Sequence, residues 1–316
     1  MSGAARGAPA SASFPAAEGG FGLSPNHRGA LWMLAAGLGF TLNAVLVKTL
    51  GQQGLDAYQI AFFRAVVGLV AVLPFLWWIG FTRLRTRHPW VHAFRVILGA
   101  GAMVCGFYAL TRLPLADVTA LSFTTPLFAT VLAVIFLREP VRWRRWSATA
   151  LGFLGVVIMV RPGAGAFDPA AVVALGMAFG IAAALVLVKR LPAGESQIVM
   201  LFYFGLGSVL ITAGPAAAVW QPPSGPQYPL LVVMGLLGLG SQAMMIRAFR
   251  TGEASFVAPF DYGKLLAAGL LGFFVFAEVP DLWTLAGAAI IVGATLYIAR
   301  REAAVGSPAT AKPDSI

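Results

Sequence analysis

Apolar runs of roughly 18 residues or more recur from one end of this chain to the other, and each is as long as an α-helix must be to cross about 30 Å of hydrocarbon. Nothing else in the sequence narrows the fold so far. Of its 316 residues, 59% are hydrophobic and 11% charged, where a soluble domain of this size carries about 45–50% and about 25%. One water-soluble core cannot hide that excess. The expected fold is an all-α membrane protein with ten transmembrane helices, over residues 29–49, 58–80, 93–111, 115–137, 146–161, 169–188, 196–217, 228–247, 254–277 and 282–299. Residues 1–27 are small, polar and rich in Gly, Ala, Ser and Pro, with no apolar stretch to make a secretory signal. They read as a disordered tail, as do residues 302–316. The one cysteine, Cys105, falls inside a span, so no intrachain disulfide framework is expected.

A formal charge of +10 would suggest a nucleic-acid partner for a soluble protein, but in a membrane protein basic residues are first a topology signal. With the N-terminus placed in the cytoplasm, 17 of the 22 Lys and Arg residues fall on the inner side. Lys48, Arg112 and Arg161 fall outside, and Arg64 and Lys264 lie within spans. That asymmetry puts both termini in the cytoplasm and fits an even number of spans. The expected partner is the lipid bilayer of the cytoplasmic (inner) membrane, with no nucleic acid.

Shifted against itself by about 140 residues, the chain repeats. VLVKTL ending at Leu50 matches VLVKRL ending at Leu191, and at an offset of 139 Val118 meets Val257, Leu127 meets Leu266, Glu139 meets Glu278 and Arg161 meets Arg300. A first repeat over 28–163 and a second over 164–301 each hold five spans. Five is odd, so the second copy is expected upside down. The turns agree: PVRWRRW after Glu139 is basic, while VPDLW after Glu278 has no basic residue. Two inverted five-helix repeats are the usual construction of secondary transporters, because related halves give two near-equivalent states, each open to one side.

Several stretches also resemble a known family. QIAFFRAVVG, FYALTRLPLADVTALSFTTPLFATVLAVIFLREPVRWRRW, GFLGVVIMVRPG and APFDYGKLLAAGLLGFFVFAEVP are similar to EamA-type members of the drug/metabolite transporter superfamily, over roughly residues 28–301. The AFFR segment, HPWVHAFR and LSFTTPLFATVLAVIFLREP look most like the branch that includes bacterial S-adenosylmethionine uptake carriers. The resemblance implies a ten-helix carrier with a central cavity lined by spans 1, 3, 4, 6, 8 and 9. Members of the family move amino acids, nucleotide-like metabolites, riboflavin, polyamines or drugs.

Within the spans, ionisable groups are the first candidates for substrate contact. A charge at the bilayer centre costs about 2.5–3.5 kcal/mol on insertion scales, so Asp261 and Lys264 are not expected to face lipid. Three residues apart on one helix face, they can neutralise each other or reach other helices, with Tyr262 beside them. They read either as a contact for a zwitterionic substrate or as a structural ion pair. Arg64, about 10 Å into its span, either binds an anionic group or Asp261, or snorkels to the headgroups. Asn43, Tyr108, Ser122, Thr125 and Gln242 complete the candidate substrate-binding set. For the hydroxyls the competing role is bonding to their own backbone. Ser122 and Thr125 occupy the repeat positions of Asp261 and Lys264, which predicts an asymmetric cavity. Lys48 and Lys189 sit at span ends and read as snorkelling residues. Glu139 and Glu278 read as caps or salt bridges rather than proton carriers. Gly235, Gly238, Gly269 and Gly272 suit close helix packing.

Enzymatic readings find few parts. His88 and His92 have helical spacing, but Pro89 follows directly and no third ligand is apparent. No nucleophile elbow or phosphate-binding glycine loop is present, and no cofactor or metal is implied. The expected function is a secondary transporter of a small polar or amphipathic organic metabolite, drawing on substrate, proton or ion gradients. The alternatives are a membrane-embedded transferase built on Asp261, Lys264 and Arg64, or a non-transporting scaffold.

Overall fold

A computed structural model of the chain describes residues 24–79, 89–138, 143–162, 168–188 and 197–306. The apolar runs close their backbone hydrogen bonds internally, as they must where no water is at hand. The helices are α1 (Pro25–Gln52), α2 (Ala57–Ile79), α3 (Pro89–Arg112), α4 (Leu115–Ser122), α5 (Thr125–Leu137) and α6 (Trp143–Val160) in the first half of the chain. In the second half they are α7 (Pro169–Val188), α8 (Gln197–Ala218), α9 (Gln227–Thr251), α10 (Ala254–Val257), α11 (Gly263–Phe276) and α12 (Leu282–Gly306). Proline opens α1, α3 and α7, where its missing N–H has no helical partner to lose. Ser24 caps α1 by accepting from the His27 backbone N–H at 3.4 Å. The first helix therefore begins within the stretch expected as tail, and the last runs on to Gly306.

Among the described residues, nine helical stretches are long and apolar enough to cross a membrane. The fifth expected span is not among the nine: its helix, α6, carries Arg144 and Arg145 in its first turn. Large apolar side chains point outward all round, including Trp77, Phe274 and Leu282, each more than three-quarters exposed. Such a surface suits hydrocarbon and not water.

Two expected spans are broken. Between α4 and α5 three hydroxyls turn back on carbonyls three residues earlier: Ser122 to Thr119 at 2.6 Å, Thr124 to Leu121 at 2.7 Å and Thr125 to Ser122 at 2.7 Å. These bonds tighten the backbone into a turn that α-helix does not continue. Between α10 and α11, residues Ala258–Tyr262 form a 3-10 turn, where Pro259 removes one helical donor. The breaks lie 139 residues apart, at repeat-equivalent places. So do the ends of the two broken spans, where Arg138 and Ala277 adopt left-handed φ of 53° and 55°.

The packing echoes this. α1 lies along α9 as its repeat mate α7 lies along α3, while α2 pairs with α8 and α6 with α12. At the last contact the backbones touch: a Cβ on Gly287 would stand 2.6 Å from the Gly155 carbonyl oxygen. Gly235, Gly238 and Gly272 also meet neighbours closely, whereas Gly269 faces open space and is no contact residue. The main core, including Val47, Leu50, Ile60, Leu121, Met234 and Ile291, sits between the two halves.

Candidate functional site

A cavity of about 380 Å³ opens between α2, α3, α7, α8 and α9, within the range of small-molecule pockets. Its wall is mostly apolar. Among the described residues, the polar side chains on it are Arg64, Arg95, Ser208 and Gln242, with no carboxylate. Arg64 is held by α2 beside Gly238 of α9, whose missing side chain makes room for it: a Cβ there would be 2.8 Å from Nε. One guanidinium nitrogen donates to the Met103 sulfur at 2.8 Å, and the group sits 5.8 Å from the centroid of the Phe107 ring. Its Nε is buried without a hydrogen-bond partner, as is Oγ of Ser208. Arg95 donates to the Met200 carbonyl at 3.3 Å and lies over the Phe204 ring. Among the described residues neither arginine forms a salt bridge.

A second polar group occupies the two helix breaks. Phe123 and Tyr262, repeat equivalents, stack on each other with centroids 4.6 Å apart and planes inclined by 26°. Lys264 donates to Asp261 at 2.7 Å and covers the Phe123 ring at 4.6 Å. Tyr262 donates its hydroxyl proton to Thr295 of α12 at 2.7 Å. The ions thus hold each other and the ring, and both remain partly exposed. Gly37 of α1 passes Lys264, where an added Cβ would be 3.5 Å from the lysine's Cβ.

The face of the bundle that carries Gln53, Leu113, Arg161 and Glu278 is sewn together. Lys48, only 6% exposed, donates to the Leu113 carbonyl and pairs with Glu278. Glu278 also accepts from the Leu115 N–H at 2.7 Å, at the start of α4. Gln59 exchanges two hydrogen bonds with the Gln221 backbone, at 2.5 and 3.2 Å. Gln227 reaches the Gln53 carbonyl at 3.4 Å, and Arg161 pairs with Asp281. The Thr284 backbone N–H, at 2.7 Å, holds the Asp281 carboxyl below its ordinary range, with help from the Thr284 hydroxyl and Arg161. A separate hollow of about 580 Å³ on this face is lined by Tyr108, Arg112, Asp56 and neighbours.

The structure therefore distributes the nine candidates from the sequence. Arg64 and Gln242 line the cavity. Asp261, Tyr262, Lys264, Ser122 and Thr125 gather at the breaks, and the two hydroxyls bond their own backbone. Tyr108 lines the hollow on the sewn face. Asn43 lines neither space: its amide, buried, donates to the Met234 carbonyl at 2.6 Å and ties α1 to α9. Arg64 and Asp261 do not pair: Arg64 bonds the Met103 sulfur and Asp261 bonds Lys264. Lys48 corrects an expectation. It does not snorkel, since Glu278 and the Leu113 carbonyl give it partners inside. Glu139, Lys189 and His88 lie outside the described residues. His92 stacks on Tyr203 at 5.3 Å, and among the described residues no group of three metal-ligating side chains occurs. Arg95 and Ser208 were not expected at a site. Arg95, two residues past the expected start of the third span at 93, counted as an inner-side topology residue, whereas α3 starts at Pro89 and carries it about one turn deeper.

The profile of the EamA-like transporter family matches residues 27–161 and again 168–300. A Rickettsia felis S-adenosylmethionine uptake transporter is 35% identical over 271 residues, 86% of this chain and 92% of that one. A Vibrio cholerae riboflavin transporter is 36% identical over 281 residues, 87% and 94% of the two chains. A solved crystal structure of a protein with 20% identity shares the fold, with a TM-score of 0.59 over 88% of this chain and 99% of the other.

Proposed function

Because the chain belongs to the EamA-like transporter family, and so is a membrane transporter and not an enzyme, we propose that it works by alternating access between two inverted five-helix halves. Both termini lie in the cytoplasm. One observation carries this: the matched breaks at Phe123 and Tyr262 stack on each other. Repeat-equivalent residues touch where a two-fold axis passes between their repeats, and broken helices at a repeat interface are where carriers bind substrate and change shape. The pairing of α1 with α9 and of α3 with α7 follows the same symmetry. Five spans per half make the axis lie in the membrane plane.

In this arrangement the sewn face is the outer one and the conformation is closed to the outside. The cargo is a small polar or amphipathic organic metabolite, in keeping with relatives named for S-adenosylmethionine and riboflavin. It sits in the cavity against Arg64 and Gln242. The Asp261–Lys264 pair and the Phe123–Tyr262 stack form the joint on which the halves re-pack. Asn43 is a helix tie.

The test is counterflow in proteoliposomes loaded with one metabolite at a time from a panel that includes S-adenosylmethionine and riboflavin. Saturable exchange of at least one metabolite is expected, and Asp261→Asn or Lys264→Met should abolish it while size-exclusion behaviour stays unchanged. Exchange that persists in both variants would remove the joint from the mechanism. A reporter fused to either end that reads outside the cell would refute the topology.

A further inference from the structure

The cavity has a sign. Among the described residues its two charged side chains are both guanidinium groups, its other polar groups are a hydroxyl and an amide, and no acid lines it. Three carboxylates are engaged elsewhere: Asp261 by Lys264, Glu278 by Lys48 and Asp281 by Arg161. Arg64 has found only a thioether and a ring face inside the protein, and its Nε has no acceptor. Arg95 has one carbonyl and a ring face. A buried guanidinium without an anion is an uncompensated charge in a low-dielectric setting, and a planar carboxylate is the acceptor its paired N–H groups fit.

Depth separates the two arginines. Arg95 lies about 9 Å along α3 from its start at Pro89, level with Met200 near the start of α8 and Leu185 near the end of α7. Arg64 lies about 10 Å along α2 from the opposite, sewn face. An entering ligand meets Arg95 first and Arg64 at the closed end, with Ser208 and Gln242 on the wall as hydrogen-bonding groups. Phe204, Gly99 and Leu239 leave apolar room for the body of the molecule.

We propose that this cavity selects small organic anions, carboxylates with an apolar or aromatic body, with Arg64 holding the carboxylate and Arg95 drawing it in. The proposal rests on the carrier reading and narrows its cargo. S-adenosylmethionine carries a sulfonium as well as an ammonium group, so its net charge is positive and two uncompensated guanidiniums oppose it. Riboflavin, without charge, is indifferent to them.

Thermal stabilisation of the purified full chain in detergent, at fixed ionic strength, tests the sign directly. Benzoate, phenylacetate and succinate are compared with benzylamine, phenethylamine and 1,4-diaminobutane. Carboxylates should raise the melting temperature and the amines should not. Arg64→Gln should weaken carboxylate affinity at least about tenfold, the loss expected for one charge-assisted hydrogen bond. Arg64→Lys, which keeps the charge but not the fork, should recover part of it. Should Arg64→Gln fail to fold, Arg95→Gln and Arg64→Lys carry the comparison. Equal shifts from amines, no shift from any carboxylate, or a shift unchanged in Arg64→Lys and Arg95→Gln would overturn the proposal. Proteoliposome uptake separates it from the carrier reading. Carboxylates that bind through Arg64 but never cross would sustain the anion site and sink the carrier, whereas amines crossing in preference would do the reverse.

Discussion

Lys48 shows how a residue's surroundings decide its role. At the end of a span, a lysine normally stretches its stem toward the headgroups. Here a carboxylate and a free carbonyl lie closer, and burial makes the pairing matter. Removing one member of a buried pair leaves the other uncompensated, at about 3–5 kcal/mol. Lys48→Met or Glu278→Gln should therefore lower the unfolding midpoint sharply, and the double variant should cost less than the two singles together. A simple sum in that cycle would mean the pair is not coupled. Asn43→Ala should be milder, about 0.6–2 kcal/mol, in line with hydrogen bonds between membrane helices. It should leave transport per folded molecule unchanged; a raised KM would return Asn43 to the substrate. Asp281, outside the spans, has a lowered pKa, so its contribution exists above the ordinary carboxylate range and is lost as pH falls through the folded value. An unfolding midpoint that drops as pH falls below the ordinary carboxylate range, and drops less in Asp281→Asn, is the expected signature. Because the pair is substantially exposed, the change should be small.

At the level of elements, the apolar runs announced the helices because length and composition are all a lipid-crossing helix needs. The breaks were less visible. Pro259 gives one away, since it deletes a donor in mid-span. Ser122, Thr124 and Thr125 do not, because hydroxyls bond back to the helix without changing its apolar period. Only the repeat, which set Ser122 against Asp261, hinted that both places were special. Arg95 stayed hidden for a different reason: a basic residue near an expected boundary serves as a topology signal, and a start four residues earlier carried it about one turn further inward. The paired arginines, the orphan Ser208 hydroxyl and the buried Lys48 are products of three-dimensional neighbours and leave no mark on spacing. Close contact of α6 with α12 is the most exacting element-level feature. Its immediate neighbours include backbone, which cannot swing away, so Gly287→Ala should destabilise by about 1–3 kcal/mol. An unchanged midpoint would show that α6 and α12 stand further apart.

For the whole molecule, duplication, matched breaks and a chain of polar ties across one face are, on the proposed mechanism, a single state of a two-state carrier. The ties Lys48–Glu278, Gln59–Gln221, Gln53–Gln227 and Arg161–Asp281 hold one end shut, while the cavity reaches toward the other end along Arg95 and Leu185. Proteins of this build transport because related halves can exchange which end is tied. That exchange can be arrested. In a Cys105→Ala background, Gln53→Cys with Gln227→Cys places two thiols where the side chain of one residue now touches the backbone of the other, and counterflow in proteoliposomes is followed before oxidation, after it, and after reduction. Exchange that stops when the disulfide forms and resumes when it is reduced is the predicted result; exchange that continues at full rate through the cross-linked face would contradict alternating access.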